Sequence, residues 1–500
     1  MDSNKINSPD DIEGLKELAI KEIENKKDLV TEVSDKIWEY AELSLKEYKS
    51  CDLYCEVMKK EGFDVEKGIC NIPTAFRAKF GKGKPVIGIL AEYDALSGLA
   101  QKRACTEKEI YISQEGTGED AGHGCGHNML GAGAMAATLG IKKYLEESRR
   151  EGTVILYGCP GEEGCASKAF MARDGEWKKI DAALTWHPED CNEVVTGSSN
   201  SCIQVRYTFH GIASHASATP EKGRSALDAV ELMNIGVQFL REHMSDRARV
   251  HYAITDAGGV SPNVVQSNAQ VLYMVRANHV GEAVELQKRV DKIAEGAALM
   301  TETTFTREFV DGLSDTVTNR TLEEVAYKNF EKLGVPTYTN DEFEFAKKLA
   351  HTYEEHDGIP GLGTPFDPEY KKEIEALKKK KAAECAFERA MNDFLLPHFT
   401  KDAFEPGSTD VGDVSWQCPT LQIHVAAWPN GCPGHSWQNV SSGGSSIGHK
   451  AELHAGKVLC ATAIDLYEHD QILKEANEEF KERTKEGYVC PIPDDAIARV

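Results

Sequence analysis

The sequence predicts an α/β fold: a mostly parallel sheet covered by helices, interrupted by an inserted α+β unit of β-α-β-β-α-β order. Three observations carry this. Short apolar runs alternate with helical stretches through the first third of the chain, the pattern of a parallel sheet covered on both faces. Near Asn200 the rhythm changes to alternating strands and two long helices, an antiparallel unit with helices on one face. Strand and helix features of the first kind then return, so the second unit is an insertion. The expected boundaries are residues 1–198 and 314–500 for the larger domain and 199–313 for the inserted one.

The elements follow in order. Residues 10–61 read as helices with charged outer faces; Leu29, Val33, Ile37 and Tyr40 recur at helical spacing. Strands are expected at Pro85–Leu90, Thr153–Tyr157, Ala182–Trp186 and Leu421–Val425, with helices after Asn128 and near Lys168. In the insertion, Cys202–Phe209 alternates as a half-exposed strand and Ala226–Glu242 is a helix. Strands Val250–Thr255 and Ala269–Arg276 flank Gly258-Gly259, and a helix at Val284–Thr301 leads to a strand at Thr303–Phe309. Residues 337–405 read as charged and helical, with Lys378–Lys381 on a solvated helix face. The tail beyond Lys474 is polar.

Composition excludes several classes. The 500 residues carry 57 Lys+Arg against 81 Asp+Glu, a net charge of −24, which argues against a nucleic-acid partner. The longest uncharged stretch near the middle, Asn128–Ile141, is shorter than the ~20 apolar residues of a membrane span and reads as a buried helix. No apolar core follows a basic start at the N-terminus, so a cytoplasmic protein without a membrane partner is expected. Fourteen cysteines in 500 residues fall below the ~8–10% of a disulfide scaffold, so most are expected to be reduced core residues.

Five motifs hold metal-type donors, each beyond an apolar run, and open parallel sheets form their sites at the carboxyl ends of strands. They are Glu92-Tyr-Asp94, Gly122-His-Gly-Cys-Gly-His-Asn128, Pro160-Gly-Glu-Glu-Gly164, Trp186-His-Pro188 and Gly434-His-Ser-Trp437. Cys125 and His127 can face one ion if the backbone turns sharply, which the flanking glycines permit. A helix N-terminus beside Cys125 is expected to favour its thiolate. Adjacent carboxylates point different ways, so one of Glu162 and Glu163 can bind metal while the other takes a proton. Alone, each motif is an ordinary structural feature; together they supply Cys, His and Glu donors with a carboxylate base beside them.

These motifs resemble the aminoacylase and glutamate-carboxypeptidase family of two-metal amidohydrolases, through GILAEYDAL, GHGCGHNMLG, GCPGEEG and LTWHP. Within it, GTVILYGCPGEEG, GRSALDAV, SPNVVQ, AEGAALMTETT, STDVGDVSW and GHSWQ resemble the branch of bacterial aminobenzoyl-glutamate hydrolases and their dipeptidase relatives. The resemblance runs from about residue 15 to 495 and is weakest at 340–405. It implies that Cys125, His127, Glu163, His187 and His435 are metal ligands, that Glu162 is the general base, and that Asp94 orients a ligand. Many relatives carry His-x-Asp where this chain has Glu92-Tyr-Asp94, and Asp where it has Cys125; the cysteine-containing branch shares both changes. His123 and His449 stand as reserve ligands. The inserted domain is implied to be a lid and dimerisation domain. His215 matches a histidine given to the partner subunit's site, and Asn263 and Arg276 match residues that hold the substrate's carboxylate, a task suited to Arg's bidentate fork.

The implied reaction is hydrolysis of an amide bond in N-acyl amino acids or dipeptides. Two divalent ions, Zn²⁺ or Mn²⁺, hold a hydroxide, and Glu162 moves the proton to the leaving nitrogen. Aminobenzoyl-glutamate is the first substrate to test. A dipeptidase for peptides ending in Lys, Arg or another residue is the second reading. A non-catalytic partner subunit is the third, against which the retained Glu162 and ligands argue. A homodimer is expected, with a related second subunit as the alternative.

Overall fold

The computed structural model describes residues 9–354, 368–383, 390–401 and 403–499. The strands of its two large sheets are, in chain order, β1 (Asp64–Lys67), β2 (Phe76–Lys82), β3 (Val86–Ala91), β4 (Gly152–Gly158), β5 (Ala182–Glu189), β6 (Glu193–Val194), β7 (Ser201–His210), β8 (Arg249–Asp256), β9 (Asn268–Ala277), β10 (Thr304–Leu313) and β11 (Thr420–Ala426). The chain forms two compact units. The first draws on Met1–Gly197, Val317–Glu405 and Val414–Gly487, the second on Ser198–Thr316, Pro406–Asp413 and Tyr488–Val500.

In the first unit the sheet order is β1-β2-β4-β3-β5-β11-β6. The central strands β4, β3, β5 and β11 are parallel; β2 joins β4, and β6 joins β11, antiparallel. The parallel strands are near-continuous apolar runs because helices cover both faces: every residue of β4 is buried. The helices that position the site are α1 (Pro9–Asn25), α2 (Lys27–Tyr40), α3 (His127–Ser148) and α4 (Ser167–Arg173). The Gly/Ala-rich start of α3 is buried on all sides, as a fully covered helix requires. It lies against β5, whose Trp186 Nε1 donates to Leu130 O at 2.8 Å.

The second unit runs β7, α5 (Ala226–Leu240), β8, β9, α6 (Val280–Thr301) and β10, the β-α-β-β-α-β order that the sequence predicts. Its antiparallel sheet has the order β8-β9-β7-β10. Side chains of β9 alternate between buried and half-buried, so one face meets the helices: Val205, Tyr207, Val271 and Tyr273 pack with Ala229, Met233, Leu286 and Val290. Helix α6 begins a turn earlier than Val284, because the carboxylate of Asp315 accepts from Val280 N at 2.9 Å, a distant contact that local periodicity does not register. Strand β5 likewise runs past Trp186 to Glu189, since β11 pairs with it as far as Ala426 opposite Glu189. The Lys378–Lys381 run lies on a helix, Pro368–Ala383. Among the described residues every cysteine is free, and no helix is long and apolar enough to cross a membrane.

Helix α3 touches a second long helix, α7 (Ser446–Glu468), at positions without side chains. A Cβ on Gly133 would stand 2.8 Å from Glu452 O and 2.6 Å from Trp186 Nε1; one on Gly456 would stand 2.8 Å from Ala136 Cβ. Backbone cannot yield there as a flexible side chain can. Gly133→Ala should therefore lower stability by about 1–3 kcal/mol, read as a lower chemical-denaturation midpoint with an unchanged slope.

Candidate functional site

The site forms where β3 and β4 end and α3 begins. Asp94, three residues past β3, is buried and accepts three hydrogen bonds: from His127 Nδ1 (2.9 Å), Ser44 Oγ (2.7 Å) and the backbone N of Glu163 (3.0 Å). Burial alone would raise the Asp94 carboxyl, but His127 and the other donors outweigh it and hold it down at about 2. The bond to Nδ1 fixes the His127 ring and turns Nε2 inward. His127 is the first residue of α3. Gly126 before it has φ +74, the left-handed turn that brings Cys125 and His127 to one side; a Cβ there would also meet Met129 Cε at 2.7 Å.

Two groups of donors share Cys125. One donor atom from each of Cys125, His127 and His187 lies within 4.8 Å of the others, and the same holds for Cys125, Glu163 and His435. Cys125 Sγ is 3.3 Å from His187 Nε2, and His435 Nε2 is 3.5 Å from Glu163 Oε1. The His187 ring is aimed by its other nitrogen, 2.7 Å from Pro188 O. His435 occupies a left-handed backbone position (φ 52) and its side chain is 56% exposed, so it faces solvent at the rim. Glu162 and Glu163 diverge: Glu163 joins Cys125 and His435, whereas Glu162 joins Glu92 and His127.

Burial pushes the Glu163 carboxyl up. It also pushes the Cys125 thiol well up, and Glu163 adds to this. Without a metal, burial and the neighbouring carboxylates thus oppose the thiolate expected from a nearby helix N-terminus. The reserve ligands are otherwise engaged. His123 Nε2 is 2.9 Å from Ile37 O, and His449 Nε2 is 3.0 Å from Asp35 Oδ1; neither joins a donor group among the described residues.

Three further residues belong to the site. Buried Lys168 of α4 lies 2.6 Å from Glu92 Oε1, whose other oxygen is 3.2 Å from His127 Nε2. A lysine inside the apolar run Ala166–Ala172 is the signal that could have found it. Ser44 supports Asp94. Buried Glu47 accepts from Gly161 N at 2.8 Å, fixing the loop ahead of Glu162, and burial raises its carboxyl to about 8.

His215, Asn263 and Arg276 lie in the second unit. His215 is exposed and bridges to Val264, while Ala216 N donates to Asn263 O at 3.0 Å, so the two loops run side by side. Ser217 N and Ala218 N donate to His215 Nδ1 at 3.3 and 3.2 Å, so in the neutral ring the proton resides on Nε2. Arg276, on β9 and half-buried, donates from Nη1 to Ser408 Oγ at 2.8 Å.

A fold of this kind with clustered Cys, His and Glu donors defines a class. Residues 89–427 match Peptidase family M20/M25/M40, and the chain belongs to that family. It is 42% identical to one of the subunits of p-aminobenzoyl-glutamate hydrolase from Escherichia coli, over 94% of this chain and 96% of the relative. It is 25% identical to Xaa-Arg dipeptidase of Mus musculus, over 95% and 94% of the two chains. The crystal structure of an aminobenzoyl-glutamate utilization protein from Klebsiella pneumoniae shares the fold at 14% identity and a TM-score of 0.55, covering 89% of this chain and 97% of the other. The chain is a hydrolase acting on amide bonds.

Lys168 is the cation that faces buried Glu92, and breaking such a pair from one side leaves a desolvated charge. Lys168→Met should cost about 3–5 kcal/mol in equilibrium unfolding. Adding Glu92→Gln should restore part of that loss; a double variant no more stable than Lys168→Met would contradict the pairing.

Proposed function

We propose that this chain hydrolyses the amide bond of N-acyl amino acids, with p-aminobenzoyl-glutamate as the leading substrate, at a centre built to hold two divalent cations. The observation that carries the substrate is the 42% identity to the E. coli p-aminobenzoyl-glutamate hydrolase chain, which extends over nearly the full length of both proteins. The donor set supports the cations. His127 Nε2 and Glu163 Oε1 are buried and make no well-formed hydrogen bond, their charged neighbours being Glu92 Oε2 at 3.2 Å and His435 Nε2 at 3.5 Å, and a cation would complete both. Cys125, His127 and His187 would hold one ion, and Cys125, Glu163 and His435 the other. Mixed thiolate, imidazole and carboxylate donors suit Zn²⁺ and tolerate Mn²⁺. When bound, the cations polarise the amide carbonyl and lower the pKa of water.

The chain's own residues do the rest. Glu162, half-buried beside Glu92 and His127, accepts the proton of the attacking water and delivers it to the departing nitrogen. Asp94 keeps His127 oriented, and Lys168 balances the charge of Glu92 next to it. His215, with its proton on Nε2, donates to the oxygen that gains charge as the tetrahedral intermediate forms. Asn263 and Arg276 hold the substrate's carboxylate. In this reading His215 serves the site of a second copy in a homodimer. Exposed Phe239, Leu299 and Met300 on α5 and α6, and the edge strand β8, exposed except at Val250, offer a surface for that pairing. The E. coli relative is named as one subunit of its enzyme, and another subunit of that enzyme is 27% identical to this chain over 44% of its length, so a related second chain is the other arrangement.

A dipeptidase is the second reading, favoured by the full-length similarity to Xaa-Arg dipeptidase. Protein reconstituted separately with Zn²⁺ and Mn²⁺ should release p-aminobenzoate from p-aminobenzoyl-glutamate faster than it cleaves Xaa-Arg or Xaa-Lys dipeptides. Faster dipeptide cleavage would establish the second reading instead, and metal-loaded protein inert towards both would contradict the proposal. Glu162→Gln should keep its metal and lose on the order of 10²–10⁴-fold in turnover. Loss of metal in Glu162→Gln and retention in Glu163→Gln would reverse the two roles.

A further inference from the structure

The first unit contains a third cluster of metal-type donors that the proposed reaction does not use. Cys191, Glu193 and His424 each place a donor atom within 4.8 Å of the other two, and all three side chains are buried. No residue of this cluster belongs to the groups around Cys125. We propose that Cys191, Glu193 and His424 form a separate cation site of the zinc type, built into the sheet one strand away from His187.

The sheet register assembles it. His424 on β11 stands opposite His187 on the parallel strand β5 and opposite Glu193 on the antiparallel edge strand β6, so the three form a row across neighbouring strands. The His424 and His187 rings are 6.1 Å apart between centroids at an angle of 68°. The short turn from β5 to β6 carries Cys191 back under the same row. His424 Nδ1 is 2.8 Å from Glu193 Oε1, and Cys191 Sγ donates to that oxygen at 3.5 Å. The other ring nitrogen, Nε2, is 3.3 Å from the Gln422 amide. The Gln422 amide nitrogen donates, so Nε2 accepts and the ring proton lies on Nδ1 toward Glu193; an ion bound at Nδ1 would take the place of that proton.

Glu189, Glu193 and Glu405 all act electrostatically on His424. None of the three is ion-paired with a lysine or arginine among the described residues; their ion-pair partners there are His187 for Glu189 and His424 for Glu193. Burial raises the Glu189 carboxyl to about 8 and pushes the Glu405 carboxyl up as well, so in the metal-free protein protons occupy these groups, and a bound cation would take their place. A divalent ion held by Sγ, Nδ1 and the Glu193 carboxylate would release the thiol proton to solvent and displace the Nδ1 proton of His424 to Nε2 or solvent. Sulfur, nitrogen and oxygen donors in one set select Zn²⁺ or Co²⁺ over Mg²⁺ or Ca²⁺, which prefer oxygen alone. The bound ion would tie the edge strand β6 to β11 and hold His424 in place beside His187.

Metal content and cobalt absorption test this independently of the reaction. Zn²⁺-reconstituted wild-type protein, freed of loose metal, should contain about one ion per chain more than Cys191→Ser or Glu193→Gln, whatever the occupancy around Cys125. With Co²⁺ as the probe, a Cys125→Ser chain should retain the sulfur-to-cobalt charge-transfer absorption of the near ultraviolet. The Cys125→Ser/Cys191→Ser chain should lose it. Equal metal content in wild-type and folded Cys191→Ser protein would overturn the proposal. So would a Cys125→Ser chain without the sulfur band, a measurement that leaves the cluster intact and holds even if the Cys191 variants do not fold. Failure of the two-ion reading would instead appear as unchanged metal content in variants of His127, Glu163 and His435.

Discussion

One buried carboxylate connects the parts of the candidate site. Asp94 takes hydrogen bonds from Ser44 in the loop after α2, from His127 at the start of α3, and from the backbone of Glu163 after β4. Three segments far apart in sequence are thereby held to one residue at the end of β3. Its partners keep the carboxyl near a pKa of about 2 against a burial cost that would raise it, so it stays an anion with its oxygens engaged. The orientation of His127 follows from this bond. So does the divergence of Glu162 and Glu163, because Asp94 pins the backbone between them while Glu47 pins Gly161 just ahead.

The parallel sheet makes such a concentration of charge tolerable. Its continuous apolar strands and the close approach of α3 to α7 form a rigid floor, and the polar residues emerge at one end of it. There the positive partners are few. Lys168 faces Glu92, and His127 faces Asp94, yet His127 Nε2 and Glu163 Oε1 remain without hydrogen bonds. Cations shared through Cys125 would complete both atoms and offset the burial, and after it the neighbouring carboxylates, that push the Cys125 thiol and the Glu163 carboxyl upward. One strand over, Cys191, Glu193 and His424 form a second buried set of donors.

Much of this is legible in the sequence because it is local. The β-α-β-β-α-β insertion is visible as a change of rhythm, and the Gly-flanked Cys125 and His127 as a turn into a helix. What is illegible is lateral. Ser44, Lys168 and Glu47 reach the site from other segments, and the row of Glu193, His424 and His187 exists only through strand register. Helix α6 gains its first turn from Asp315, 35 residues on. Without a metal, burial and then Glu163 push the Cys125 thiol up, and neither is visible locally: the helix terminus is local, but the carboxylates beside the sulfur arrive from β4 onward. His123 likewise shares the Gly-rich motif yet turns to Ile37, and His449 is taken up by Asp35.

The central claim is that Cys125 joins two donor groups into one centre for two cations. Anomalous diffraction from crystals of the zinc-reconstituted protein, recorded on either side of the zinc absorption edge, tests it most directly. The account predicts two peaks, both within bonding distance of Cys125 Sγ, one also reached by His127 and His187 and the other by Glu163 and His435. A single peak remote from Cys125, or no peak among these residues in catalytically active crystals, would contradict it.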